Sequence, residues 1–389
     1  MKYLYYLNGL VLSILMYSST IERFTKIKSV TILAIVGSIY ILITFFSVKL
    51  KKPNKLDLIF IFSSLSLPTY YYFHFLIFGS LNVEMFIMLN SSIIIGLITL
   101  INNHDYFING LIKGLLLNGF IVSILLIVGS IISGDYRNFF NIVDYLALGY
   151  NLSLSFLILV PAFAAKRISK TKAILIVVIL FGIFLSNSRG AVIFSLLVPV
   201  YYIIFIYNNE FNKGKLILIA LFVVGGLTGI YNLFNIESGL NRLFEFNFVN
   251  VKDDVSTFTR ILIWEDTIQE IAVHPIVGWG LGNDLPNPYH PHNFILQILY
   301  DGGIIAFMIW AIILYQPIRI LKKTKNYLSR VVILGLYLCF IYMIMEYSKS
   351  HVIYSARNLF IVIALLIGVF RTKIREKNKY RLLKTIKYV

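Results

Sequence analysis

The chain is poor in charged residues and in cysteine. Only 14% of its 389 residues are charged, whereas a soluble domain carries about a quarter. Hydrophobic residues make up 58% of the chain, and long apolar runs recur along most of it. This composition excludes an ordinary soluble domain and predicts an all-α integral membrane protein. The single cysteine, Cys339, can form no disulfide within the chain and lies in an apolar run, so we interpret it as a buried hydrophobic residue.

Acidic residues are scarce as well. The chain has 18 Asp and Glu against 35 Lys and Arg, which gives a formal net charge of +17. The basic residues stand mostly in short loops and in the tail, where they fix the orientation of membrane proteins. No aromatic and basic surface motif accompanies them, so nucleic acid is not an expected partner.

Apolar runs of about 20 residues, the length that crosses a bilayer, predict about twelve transmembrane helices. The seventh run is the weakest, because its uncharged core is short; it either crosses with snorkelling lysines or is re-entrant. The twelve runs lie near residues 3–18, 29–48, 57–78, 83–101, 109–133, 143–164, 171–187, 190–208, 215–235, 293–316, 329–347 and 354–370.

The basic clusters follow even-numbered spans, which predicts that both termini are cytoplasmic in a multi-pass protein of the cytoplasmic membrane. The basic loop from Arg23 to Lys28 is the one exception. The only long loop then faces the outside. The predicted organisation is nine spans in 1–235, a large extracytoplasmic loop in 236–292, three spans in 293–370 and a basic cytoplasmic tail in 371–389.

Within the large loop, apolar residues recur at helical spacing over 256–272 and predict a short amphipathic helix at the membrane surface. Pro275 is expected to end it. Arg260 falls in the predicted first turn, where the helix dipole disfavours a cation. Either Arg260 faces an anion, or it snorkels to lipid headgroups.

Three alternating glycines follow this helix: Gly278, Gly280 and Gly282. Their spacing is not that of a dinucleotide-binding fingerprint, and no strand precedes them. The pattern favours a tight loop that needs positive φ angles. The alternative is a close approach of the backbone to a ligand.

His292 and Asn293 open the predicted tenth span. The positive end of a helix dipole disfavours imidazolium, so a neutral His292 is a candidate general base. The alternative is a capping or interfacial histidine. His274 and His290 are less suitable, and the three histidines lack the spacing of a zinc site, so no metal is predicted.

A second arginine is predicted at the same membrane face. Ser186 to Ala191 reads SNSRGA and joins the seventh and eighth spans in an external turn. Arg189 then stands at a helix N-terminus, where phosphate binds readily, and a guanidinium pairs bidentately with phosphate oxygens. Snorkelling at the membrane edge remains the alternative for Arg189.

Four motifs in this order resemble the O-antigen polymerase and ligase family. The resemblance is strongest over about residues 170–312, and the first five spans match only as generic apolar helices. The motifs are Ser-Arg-Gly-Ala at 188–191, Thr-Arg at 259–260, His-Pro-Ile-Val-Gly-Trp-Gly-Leu-Gly-Asn at 274–283, and His-Asn-Phe-Ile-Leu-Gln-Ile-Leu-Tyr-Asp-Gly-Gly-Ile-Ile at 292–305.

The resemblance implies a membrane glycosyltransferase that acts on undecaprenyl-pyrophosphate-linked oligosaccharide at the outer face of the cytoplasmic membrane. It places the family's functional arginines at Arg189 and Arg260 and its histidine at His292. We therefore predict these three as catalytic, and Arg189, Arg260 and Asn293 as substrate-binding. The resemblance implies neither a metal nor another cofactor. A chain-length regulator and a flippase are the expected protein partners.

The motifs leave two reactions open. A polymerase joins the glycan to another lipid-linked repeat, for O-antigen, capsule or exopolysaccharide, and a ligase joins it to a lipid-A core. The polymerase is our main prediction and the ligase the alternative. A polysaccharide flippase or secondary transporter is the alternative from another class, but no related halves of the kind common in transporters are visible in the sequence.

Overall fold

The computed structural model describes residues 1–47, 53–102, 105–142, 145–164, 169–202, 255–283, 291–324, 330–349 and 352–386. Within these ranges the secondary structure is helical and includes no strand. The predicted all-α class is therefore confirmed for this part of the chain.

The helices follow one another with short connections. They are α1 Lys2–Met16, α2 Ser18–Thr25, α3 Ser29–Ser47, α4 Lys55–Phe78, α5 Val83–Ile101, α6 Asp105–Ser133, α7 Tyr136–Phe140, α8 Leu146–Leu157, α9 Val160–Ala164, α10 Lys170–Leu185, α11 Arg189–Tyr201, α12 Val255–Val273, α13 Phe294–Thr324, α14 Arg330–Tyr347, a 3₁₀ turn at Ile353–Ser355, and α15 Arg357–Ile386.

Four described helices are long and apolar enough to cross a membrane: α3, α5, α6 and Phe294–Lys323 of α13. A fifth span results if α1 and α2, bent by 63°, are taken as one. The chain is thus a helical membrane protein. The predicted number of about twelve spans stays a prediction, and the predicted ninth span, 215–235, lies outside the described residues.

Within the described ranges, three predicted spans are not continuous helices. The first bends after Met16, where the Tyr17 hydroxyl donates to the Asn151 carbonyl at 2.9 Å and lies 2.6 Å from Ser155 Oγ. The sixth is divided into α8 and α9. The tenth is broken at Gly303, which has φ 59° and ψ −160°. In the first and tenth spans, contacts with residues distant in sequence hold the break.

The chain forms two compact units, and the first comprises Met1–Ser47, Tyr106–Asn247 and Leu334–Tyr342. Here α1 and α6 cross at two glycines. A Cβ on Gly9 would meet the Phe107 carbonyl, and one on Gly110 would meet the Tyr6 carbonyl. Small residues at a helix crossing allow this close backbone approach, which is a common device in membrane helices.

The basic loop that departs from the charge pattern lies in this first unit. Lys26 is left-handed, with φ 60°, and ends α2. Its Nζ donates to the Asn141 carbonyl at 2.7 Å. Lys26 therefore has a structural role in addition to its place among the basic residues used to predict the membrane orientation.

The second unit comprises Val48–Asp105, Phe248–Ile333 and Met343–Val389. α15 packs closely on α5, because a Cβ on Gly96 would lie 2.8 Å from Phe360 Cβ. The buried Trp310 ring of α13 lies 5.4 Å from the Phe360 ring. Phe360 thus joins α5, α13 and α15 in one core.

A buried ion pair fixes three helices of the second unit at one end. Arg371 Nη1 lies 2.7 Å from Asp57 Oδ2, and Arg371 Nη2 donates to the Leu100 carbonyl at 3.0 Å. Asp57 also closes the capping box of α4, since Asp57 Oδ2 accepts from the Asn54 backbone nitrogen at 2.9 Å. The start of α4, the end of α5 and α15 are therefore held by one guanidinium.

Replacing Arg371 with Ala is expected to destabilise the second unit by about 3–5 kcal/mol, because the buried Asp57 carboxylate loses its cation. The measurement is the thermal unfolding midpoint of the purified protein in detergent. Lys322→Ala removes an exposed cation from the last turn of α13 and serves as the matched control. Equal midpoints for the two variants would contradict a stabilising role of the pair.

Candidate functional site

The helix that carries Arg260 is α12, Val255–Val273, and it agrees with the amphipathic helix predicted over 256–272. It ends before Pro275, as expected. Its start at Val255 puts Arg260 in the second turn rather than the first. Because the dipole acts mainly within the first turn, the dipole argument for an anion beside Arg260 is wrong. Arg260 is half-buried. It stays a candidate because of where it stands on α12, and not because of the helix dipole.

His292 lies just before the N-terminus of α13 and has a left-handed backbone, with φ 48°. Asn293 caps that helix, because its Oδ1 accepts from the backbone nitrogens of Ile295 at 3.0 Å and Leu296 at 3.3 Å. The predicted helix N-terminus at His292 is thus present. The Asn293 oxygen serves the helix, and the substrate-binding role of Asn293 stays a prediction.

α12 is joined to the His292 segment by an indole. Trp264 Nε1 donates to the Pro291 carbonyl at 2.6 Å, and Pro291 directly precedes His292. Arg260 stands four residues before Trp264, so both project from the same side of α12. The second unit thereby brings the helix face of Arg260 against the segment that carries His292.

The break in α13 is filled by the segment His274–Asn283, which we call the strap. Trp279 and Gly280 donate their backbone N–H groups to the carbonyls of Tyr300 and Asp301, at 2.8 and 2.9 Å. In return, the Ile304 nitrogen donates to the Pro275 carbonyl at 2.9 Å and the Ile305 nitrogen to the Ile276 carbonyl at 3.3 Å. The strap therefore replaces helical hydrogen bonds that the break removes.

The other side of the strap is held by α4 and the turn that follows it. The Tyr70 hydroxyl bridges the carbonyls of Val277 and Gly302, at 2.8 and 3.0 Å. Ser80 Oγ donates to the Trp279 carbonyl at 2.5 Å, and the Asn82 nitrogen donates to the Leu281 carbonyl at 2.9 Å. His74 Nε2 lies 3.3 Å from the Gly278 carbonyl. These contacts hold the strap between α4 and α13.

The prediction that the three glycines need positive φ is confirmed. Gly278, Gly280 and Gly282 have φ angles of 72°, 103° and 67°. A Cβ on Gly278 would also lie 2.5 Å from the Gly302 nitrogen and 2.7 Å from the Asp301 carbonyl carbon. The close approach is to the protein's own backbone, so the glycines build the strap.

Aromatic rings join the strap to α12 and α13. The Trp279 ring stacks on Tyr300 at 6.5 Å and meets His274 edge-on at 4.3 Å. Trp279 Nε1 donates to the Glu270 carbonyl near the end of α12 at 3.0 Å. Ile263 of α12 is buried in the same cluster. His274 therefore contributes to packing, which agrees with its low rank as a catalytic candidate, and His290 lies outside the described residues.

Asp301 is a notable residue of this region that the sequence interpretation missed. Its side chain is 2% exposed and stands directly before the break in α13. Asp301 Oδ1 accepts from the Gly282 nitrogen at 3.4 Å. A carboxylate inside an apolar run, directly before two glycines, is the signal that could have identified it, since charged residues inside a membrane segment are costly.

Arg189 belongs to the first unit and is the first residue of α11. Ser188 caps this helix through a 3.4 Å bond from the Ala191 nitrogen, and Asn187 before it is left-handed, with φ 57°. Ser186, Asn187 and Ser188 are buried, whereas Arg189 itself is half-buried. The predicted position of Arg189 at a helix N-terminus is confirmed.

Among the described residues, no group of three or more His, Cys, Asp or Glu side chains could hold a metal ion. The predicted independence from metals and other cofactors stays a prediction. Arg260 belongs to the second unit and Arg189 to the first, and their roles stay predictions.

Over the described residues these features define a helical membrane protein in which helix α13 is preceded by a left-handed histidine and is broken at Gly303. Residues 174–311 match the sequence model of the family described as O-antigen ligase. This range contains Arg189, Arg260 and His292 and nearly coincides with the range of the motif resemblance. Over that segment the chain is similar to this family, and the resemblance is confirmed there.

Two curated relatives are each named as a candidate polysaccharide ligase. The protein of Rickettsia conorii is 28% identical over 85 residues, and that of Rickettsia felis is 27% identical over 85 residues. Each match covers 17% of this chain and 21% of the relative. The chain therefore spans about a fifth of the length of the curated relatives that it matches.

Gly278→Ala is expected to lower the unfolding midpoint far more than Gly79→Ala. Both glycines have a positive φ, which costs about 1–2 kcal/mol for a residue with a Cβ. A Cβ on Gly79 meets nothing within 4 Å, whereas one on Gly278 displaces the strap from the break, which adds about 1–3 kcal/mol. Thermal unfolding of both variants in detergent gives the comparison, and similar midpoints would mean that the strap tolerates the displacement.

Proposed function

We propose that this protein is a polysaccharide ligase, a membrane glycosyltransferase that moves a glycan from a polyprenyl pyrophosphate to an acceptor glycolipid. Two findings support the ligase over the polymerase that the motifs alone led us to prefer: the family match over 174–311 and the names of the two relatives. The structural observation that supports an enzymatic site is the left-handed backbone of His292. This residue is flanked by Pro291, which accepts the Trp264 hydrogen bond, and by Asn293, which caps α13.

In the proposed reaction, His292 is the general base. An acceptor hydroxyl attacks the anomeric carbon of the donor sugar, and the His292 imidazole takes the hydroxyl proton. The new bond joins the acceptor oxygen to the anomeric carbon. The bond from that carbon to the pyrophosphate oxygen breaks, and its electron pair leaves with the polyprenyl pyrophosphate. Attack from the face opposite the leaving group inverts the configuration at the anomeric carbon.

Arg260 and Arg189 are proposed to bind the pyrophosphate of the donor. The leaving pyrophosphate gains negative charge as the sugar–oxygen bond breaks, so a guanidinium stabilises the transition state more than the bound donor. A guanidinium also matches phosphate oxygens in a bidentate manner. On this proposal the arginines supply the positive charge, and the reaction needs no metal ion.

We propose that the site faces the outside of the cytoplasmic membrane, with both termini in the cytoplasm. The basic clusters of the sequence support this orientation. A polyprenyl chain is as apolar as the lipid core, so a donor held at the membrane edge never has to leave the bilayer. A flippase that delivers this donor is the expected partner, while a chain-length regulator would accompany a polymerase.

Ligase and polymerase differ in what accumulates when the protein is lost. We expect a deletion strain of the host to retain full-length glycan on its polyprenyl carrier and to lose it from the acceptor glycolipid. Gel electrophoresis of the two lipid fractions makes the measurement, with the wild-type gene as the control. Single repeat units on the carrier, with no longer glycan, would identify a polymerase instead. Transfer that continues normally while glycan export stops would identify a transporter.

Alanine at Arg260 or at His292 is expected to reduce glycan transfer by at least about 100-fold, because each change removes a group that acts on the reacting bond. Arg260→Lys keeps the charge but loses the bidentate fork, so its loss should be smaller. The assay is release of polyprenyl pyrophosphate by purified variants.

Arg319→Ala is the matched control for these substitutions, because Arg319 stands near the far end of α13 from His292. It should retain transfer. Wild-type transfer by folded His292→Ala would remove the basis for the proposed mechanism.

A further inference from the structure

We propose that Trp264 is a positioning residue that sets the His292 imidazole relative to Arg260. This inference rests on the proposed transferase function, in which His292 is the base. Trp264 is assigned no contact with substrate. It acts on His292 through the Pro291 carbonyl.

The contact between Trp264 and Pro291 is short and directed. The distance from Trp264 Nε1 to the Pro291 oxygen is 2.6 Å, at the short end for a hydrogen bond of this kind. The indole is half-buried and Pro291 is buried. Proline fixes its own φ near −65°, so the chain leaving this carbonyl toward His292 starts from a restricted geometry.

His292 needs such an anchor because its backbone is in an unfavourable region. A φ of 48° is a strained, left-handed conformation for a residue with a Cβ. Conformations of this kind persist where the surroundings hold them on both sides. The Asn293 cap restrains His292 on the C-terminal side, and the Trp264 indole restrains it on the N-terminal side through Pro291.

The same bond links the helix that carries Arg260 to the segment that carries His292. Arg260 and Trp264 stand one helical turn apart on α12. α12 is fixed on the other side of the site, because Ile263 packs with the buried Tyr300 of α13 and because Trp279 donates to the Glu270 carbonyl. Trp264 therefore links a fixed helix to a strained segment, and loss of its N–H should release the segment while α12 stays in place.

The expected effect is a loss of turnover without a loss of donor affinity. A displacement of about 1 Å at a catalytic group can cost about 100-fold in rate, whereas the pyrophosphate contacts of the arginines are unchanged. Trp264→Phe keeps an aromatic ring and removes only the indole part with its N–H. We expect kcat to fall between about 10-fold and 100-fold at an unchanged KM for the donor, and the pH dependence of kcat to shift.

Trp279→Phe is the matched control. It also removes one indole-to-carbonyl hydrogen bond of α12, the 3.0 Å bond to Glu270, but it leaves the Pro291 contact untouched. An aromatic ring remains at position 279 and Ile263 still packs with Tyr300, so α12 should stay in place. The kcat and pH profile of this variant should therefore stay close to those of the wild type. Trp264→Tyr is a second variant that lacks the indole N–H, and it should reproduce the loss seen with Phe.

The experiment measures initial rates of the purified full-length protein in detergent. The donor is lipid-linked glycan extracted from the deletion strain, and the acceptor is the glycolipid fraction of the same strain. Wild type, Trp264→Phe, Trp264→Tyr, Trp279→Phe and His292→Ala are compared at several donor concentrations and pH values. Size-exclusion profiles and unfolding midpoints identify the variants that are folded.

A selective loss of kcat in the Trp264 variants, with an inactive His292→Ala and a normal Trp279→Phe, would support the inference. Wild-type turnover in Trp264→Phe beside an inactive His292→Ala would overturn it and leave the proposed function standing. Equal losses in the Trp264 and Trp279 variants, or failure of both Trp264 variants to fold, would assign Trp264 to general stability and overturn it as well. An active His292→Ala would end the proposed function and this inference together.

Discussion

The second unit depends on how the backbone at the break in α13 is satisfied. An unbroken helix would pair the Ile304 and Ile305 nitrogens with the carbonyls of Tyr300 and Asp301. The non-helical Gly303 separates these groups. In an apolar surrounding each unsatisfied peptide group costs several kcal/mol. The strap supplies every one of these partners from its own backbone, so the break leaves none of these four groups unsatisfied.

This constraint explains why the strap contains glycines at fixed positions. The strap must turn tightly enough to present two carbonyls and two N–H groups to the break, and positive φ at Gly278 and Gly280 makes that path accessible. Tyr70 then satisfies the remaining Gly302 carbonyl. The break also makes the Phe294–Gly302 part of α13 a short separate helix. Its C-terminal end is held by the strap, and its N-terminal end adjoins Pro291, which Trp264 holds.

A proposed catalytic histidine directly before such a short helix gains rigidity without a soluble domain around it. Arg260 reaches this region from a helix outside the long spans, and Arg189 opens α11 in the first unit with a buried serine-rich turn behind it. The proposed pyrophosphate ligands are thus both set by helices, which reorganise little during a reaction.

The amino-acid sequence by itself determined the features that depend on local physics. An apolar run predicted Val83–Ile101, and apolar residues at helical spacing predicted Val255–Val273, both at nearly the observed bounds. Pro275 followed the end of α12, and the alternating glycines required positive φ. The four motifs also identified the family segment that the comparison with known proteins supports. Such features are predictable because propensity and periodicity act within a few residues along the chain.

Only the tertiary structure decided the bend after Met16, the break at Gly303 and the link from Trp264 to Pro291. The burial of Asp301 against the strap was also visible only in the tertiary structure, because a carboxylate in an apolar run has no assigned role until its neighbours are known. Each of these depends on a partner group from a distant part of the sequence. Hydrogen bonds between distant segments leave no periodic pattern in the chain, so a single sequence predicts the helices but not the contacts that interrupt them.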